Sequence, residues 1–131
     1  MLEVAERLGD DRVNERPLGA TTNAVAALVI HCCEVSEFWL GHVALGRPSR
    51  RDRESEFSRA ASVAELRTRV EDARARTLTD IASLEAGEGT DEGGRQFLLH
   101  GDTSDAAVVL HVLEEFFQHL GHMELAADAL A

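Results

Sequence analysis

The 131 residues carry 13 basic side chains against 24 acidic ones, for a formal net charge of −11. That field repels nucleic acid and anionic membrane surfaces, so neither is an expected partner. At 44% hydrophobic and 28% charged, the chain is globular rather than disordered and long enough to bury a core, as one domain over residues 1–131.

Every basic residue is Arg, and Ala, Leu, Glu and Arg dominate, a composition that favours helix over strand. The two cysteines, Cys32 and Cys33, are adjacent. Neighbours on a helix point about 100° apart, so they form no disulfide framework and read as small buried hydrophobes. The opening residues alternate charged and apolar groups and lack a signal-peptide pattern, and no apolar run is expected to span a bilayer. A cytoplasmic protein is the expectation.

In chain order, Met1 to Leu8 reads as a short helix ended by Gly9, and Asp10 to Thr22 as a connection broken by Pro17 and Gly19. Asn23 to Leu45 is a second helix, apolar almost all round, ended by Gly46 and Pro48. Phe38 and Trp39 near its end read as core. Such a helix needs cover on most sides, and a homodimer is the expected source of some of it. Arg47 to Ala61 is a charged run, and Arg47 to Arg59 within it reads as a solvated loop with local salt bridges, or as a site for a carboxylate-bearing thiol.

Ser62 and Glu65 have capping-box spacing and start a third helix. Its apolar stripe is Val63, Leu66, Val70, Ala73, Thr77, Ile81 and Leu84. Ala86 to Gly94 is Gly- and acid-rich and reads as a loop, with Phe97, Leu98 and Leu99 tucking it back on the core. His100 carries no signal. Asp102, Thr103 or Ser104 caps a fourth helix that runs to the end of the chain. With no strand and no internal repeat, the economical fold is an all-α four-helix bundle with a short first helix.

The chemistry concentrates in HVLEEFFQHLGHMEL, His111 to Leu125. On a helix Glu115 and His119 lie about 40° apart, with His111 and His122 on the same stripe. Glu114, Gln118, Gly121 and Asp128 mark the solvent side, so Glu115 faces inward and needs a partner. His31, inside VAALVIHCCEV, is a histidine in an apolar run and also needs partners for its nitrogens. His31, Glu115 and His119 together make a two-His, one-carboxylate metal set that leaves a fourth position for substrate. His111 and His122 read as half-exposed histidines, or as groups that replace or orient a ligand. His122 is the weak candidate for a catalytic base. His42 lies about 16 Å along the helix from His31 and cannot share its metal.

HCCEVSEFWLGHVALGRP, RDRESEF and HVLEEFFQHLGHMEL together resemble the DinB-like superfamily. The branch resembled is that of the metal-binding domain of mycothiol-dependent maleylpyruvate isomerase and related thiol S-transferases. The resemblance covers nearly the whole chain. It implies a bundle whose second helix supplies a His ligand and whose fourth supplies an E-x-x-x-H or H-x-x-x-H pair, here His31, Glu115 and His119. It further implies a divalent metal, zinc or nickel, and a low-molecular-weight thiol such as mycothiol attacking a small electrophile. The first helix is short for this family, and the isomerase's second domain has no counterpart here, which argues against that isomerisation itself. Two other readings stand beside this one: a helical stress-response or interaction protein with a structural metal or none, and a metal-assisted hydrolase.

Overall fold

In the computed structural model, which describes residues 1–91, 94, 95, 98 and 101–131, every regular element is helical. Phe97, Leu99 and His100 lie outside the described residues. Helix α1 runs Leu2–Arg12, α2 Val25–Ser36, α3 Arg53–Glu56, α4 Val63–Glu85 and α5 Asp105–Leu130. The four longer helices form the bundle, and α3 is a single turn within the charged connection.

Local signals set most boundaries. Gly9, at φ 68° and ψ 177°, breaks α1, but one more turn follows it to Arg12. Ser62 accepts from the Glu65 amide, and the Glu65 carboxylate accepts from the Ser62 amide at 2.7 Å, the reciprocal box that starts α4. Of the three possible caps for α5, Ser104 is the one used, accepting from the Ala107 amide.

Helix α2 does not stop at Ser36. It continues as a π-helical run, Glu37–Ala44. The Leu45 amide reaches back five residues to the Leu40 carbonyl at 3.2 Å. A π turn rotates less per residue than the 100° of an α-helix, which swings Trp39 back toward the face of His31.

Ten residues of α2 are buried, from Val25 to Ser36. Helices α1, α4 and α5 pack around it, so it finds its cover within its own chain. The stretch Gly19–Ala44 is long and apolar enough to cross a membrane on length and mean hydropathy, 1.4, contrary to the reading that no run would be. Its most apolar window is nevertheless 72% buried among the other helices, as expected for a bundle's central rod.

Two apolar clusters form the core. One gathers Val4, Val13, Val25, Leu28, Val29, Ile30, Leu66 and Met123; the other gathers Leu40, Ala44, Leu84, Leu98, Val108 and Val112. Leu98 therefore does tuck the long loop back. Phe116 packs against both clusters. On α5 the residues between the two clusters include Glu115 and His119, while His31 sits within the first cluster's stretch of α2.

Candidate metal centre

His31 is 2% exposed, and both of its ring nitrogens meet carboxylates. Nδ1 lies 2.8 Å from Glu56 Oε2. A carboxylate only accepts, so Nδ1 donates to it; with a single ring proton so placed, Nε2 keeps its lone pair. That nitrogen faces Glu115 Oε2 at 3.4 Å. From α5, His119 Nε2 reaches the same oxygen at 3.3 Å. The His31 and His119 rings meet edge to face, with centroids 4.6 Å apart.

A lone pair facing a carboxylate is repulsive unless a cation sits between them. Bonds of about 2.0–2.2 Å from a tetrahedral ion place ligand atoms about 3.4 Å apart. The two separations match that edge, and one ligand atom from each of His31, Glu115 and His119 lies within 4.8 Å of the others. The group could hold a metal ion. Burial and the neighbouring His31 hold the His119 pKa below its usual value, so its neutral, ligating form prevails near neutrality.

Glu56 was not singled out by the sequence. It sits in a run of charges, Arg51 to Glu56, that looks like solvated loop, yet it is fully buried. Arg51 Nε donates to its Oε1 at 2.6 Å, and Arg51 Nη2 donates to its Oε2 at 3.0 Å. Burial raises the Glu56 pKa, but the bonds from Arg51 and His31 outweigh it and leave the carboxyl below its ordinary value. The solvated-loop reading thus fails for Arg51 and Glu56, although salt bridges do form there. Phe57, the next residue, lays its ring 4.8 Å from that of His31.

A cleft of about 390 Å³ opens on this group. His31, Glu115 and His111 line it with the apolar Val35, Phe38 and Trp39 and the polar Ser49, Arg51 and Arg53; His119 is not among the lining residues. Phe38 and Trp39 were expected in the core; Trp39 does pack against the second apolar cluster, and both also line this cleft. His111 sets its ring 4.4 Å from Trp39, with Nε2 4.0 Å from Glu115 Oε1.

His122 is exposed, and its Nδ1 lies 3.4 Å from His119 Nδ1. It lines a separate cleft with Pro17, Leu18 and Leu125. It touches the candidate ligand from behind and is not among the residues lining the first cleft. His42 lies outside the group, with Nδ1 donating to the Arg47 carbonyl at 2.6 Å. Burial pushes the Cys32 thiol up to about 12 and the Cys33 thiol to about 11, so both stay protonated at neutral pH, as small hydrophobes would.

A family model described as the DinB superfamily matches residues 1–123. The chain belongs to the DinB superfamily. No curated protein and no solved structure matches it. DinB-superfamily members are often metal-binding, and this DinB chain brings two imidazoles and a carboxylate together between its second and last long helices.

Proposed function

We propose that this DinB-superfamily chain is a metal-dependent thiol S-transferase or isomerase, joining a low-molecular-weight thiol of the mycothiol type to a small electrophile. The observation that carries this is the convergence of His31, Glu115 and His119 beside an open cleft. Three protein donors with open space beside them suit an exchangeable position, whereas a structural site is closed by a fourth protein ligand. Those three residues would hold the divalent ion, zinc or nickel, which when bound lowers the pKa of a neighbouring thiol and polarises a carbonyl.

The chain's own groups divide the remaining work. Val35, Phe38 and Trp39 keep water from one side of the cleft, while Arg53 and Ser49 offer donors to an anionic end of a bound molecule. Among the histidines not assigned to the ion, His111 faces the cleft and His122 faces away from it.

Metal analysis of purified protein, followed by thiol-conjugation assays with and without chelator, tests this. Stoichiometric divalent metal and chelator-sensitive conjugation are expected; conjugation unchanged in chelator would remove the metal role. Metal without conjugation across a panel of thiols and electrophiles would favour the helical interaction protein, and turnover of esters or amides instead would favour the hydrolase.

Self-association belongs to the same proposal, on a different surface from the one first expected. Helix α2 is covered within its own chain. Helix α5 instead leaves Leu110, Leu113, Phe117 and Leu125 exposed within about 120° of arc, around Gly121. A second copy packed on that stripe would give a homodimer, and a monomer in sedimentation at micromolar concentration would remove it.

A further inference from the structure

We propose that Glu56, gripped by Arg51, is a positioning residue that fixes the proton of His31 on Nδ1 and so aims the Nε2 lone pair at the ion's place. The inference rests on the metal reading above and extends it to the connection between α2 and α4. Three independent observations carry it.

The first is burial. Glu56 is 0% exposed, and the Arg51 side chain only 12%. A buried ion pair is weak evidence for stability, since apolar side chains of similar volume often replace one without loss. Its presence here calls for a role that apolar groups cannot fill. The second is geometry. Arg51 binds both carboxylate oxygens, which fixes the plane of the carboxylate, and Oε2 then accepts the Nδ1 proton of His31 at 2.8 Å. Metal-bound histidines commonly donate their other nitrogen to a carboxylate, which sets tautomer and ring orientation. The third is anchoring. Arg16 Nη2 donates to the Phe57 carbonyl at 3.0 Å, and Asn14 bonds the Ala61 backbone through both its amide atoms at 3.0 Å. The segment that carries Glu56 is thus tied to the chain after α1, and Phe57 blocks rotation of the His31 ring from the side.

Two readouts test it. In metal-free protein, ¹⁵N shifts of labelled histidines report the tautomer, with the His31 signal assigned by its loss in His31→Ala. Wild type is expected to show Nδ1 protonated and Nε2 bare. The apolar replacement Arg51→Met/Glu56→Leu is expected to fold, to show mixed His31 tautomers, and to bind Zn²⁺ about 10- to 100-fold more weakly. Glu56→Gln keeps the volume should the double variant not fold. Its one carbonyl oxygen cannot serve Arg51 and His31 equally, so a smaller loss of Zn²⁺ affinity is expected. Wild-type affinity and an unchanged tautomer in whichever variant folds would overturn the proposal. Wild type that binds no Zn²⁺ would instead sink the metal reading, and the tautomer in metal-free protein would still decide what Glu56 does to His31.

Discussion

At the scale of single residues, the site divides by what its members do to the ion. His31 and His119 are the two imidazoles proposed to hold the ion, and either lost to alanine removes one of its three donors. His31→Ala is expected to abolish stoichiometric zinc while leaving the helical circular dichroism in place; retained zinc would show the group wrongly chosen. Gly41 makes a different kind of prediction. A Cβ there would fall on the Arg47 guanidinium, which crosses the helix to bind Asp80 at 2.6 and 2.8 Å. Asp80 is 3% exposed, so displacing Arg47 strands a buried carboxylate. Gly41→Ala is therefore expected to destabilise by about 1–3 kcal/mol, the cost of leaving a buried acceptor without its donor. Urea denaturation measures it, and a loss below about 1 kcal/mol would mean that Arg47 finds another path. Glu115 and His119 were legible as a pair from spacing, because i and i+4 on one helix meet whatever the rest of the fold does; His31, on another helix, was joined to them by its apolar surroundings and the family resemblance. Glu56 was not, because nothing local separates a buried glutamate from its solvated neighbours Glu54 and Asp52; only the path of the connection does.

At the scale of elements, capping and periodicity were readable where the physics is local. Ser62 and Glu65 name the start of α4 by themselves, and Ser62→Ala is expected to cost about 1 kcal/mol, seen as a lower urea midpoint at unchanged slope. No change in midpoint would show that the bond the Val63 amide donates to Asp10 Oδ1, 2.6 Å, holds that end without help. The π-helical run was not readable, because its wider turns depend on what α2 meets downstream. The Arg47 amide returns to the Gly41 carbonyl at 2.9 Å, and the Thr90 amide caps the Ala44 carbonyl at 2.8 Å. These bonds, one local and one from the distant Thr90, close the widened turns that put Trp39 beside His111, so a side chain that packs on the core also lines a cleft. The one-turn α3 was hidden for a similar reason: four residues too short to show a period, held by Asp52 and by the burial of Glu56.

At the scale of the whole molecule, the site couples stability to pH and to metal in one direction. The folded pKa of His119 is lowered below its ordinary 6.5, so between those two values the unfolded chain binds more protons than the folded one. Stability then falls as pH drops through 6.5 toward the folded value. Glu56 is lowered below its ordinary 4.5; its contribution is complete above that value and is lost as pH falls through the folded one. Acid therefore acts on His119 first and on Glu56 later. An ion that binds only the folded chain adds about 2.7 kcal/mol at a hundredfold excess over its dissociation constant. For a chain of this size that is a rise in Tm of several degrees. Protons compete with the ion for His119, so the increment must shrink with acidification. Thermal melts at pH 7.5 and pH 5, each with zinc and with chelator, are expected to show a large increment at the higher pH and little at the lower. An equal increment at both would mean that the ion binds through groups that do not titrate in this range, and His119 would no longer be its ligand.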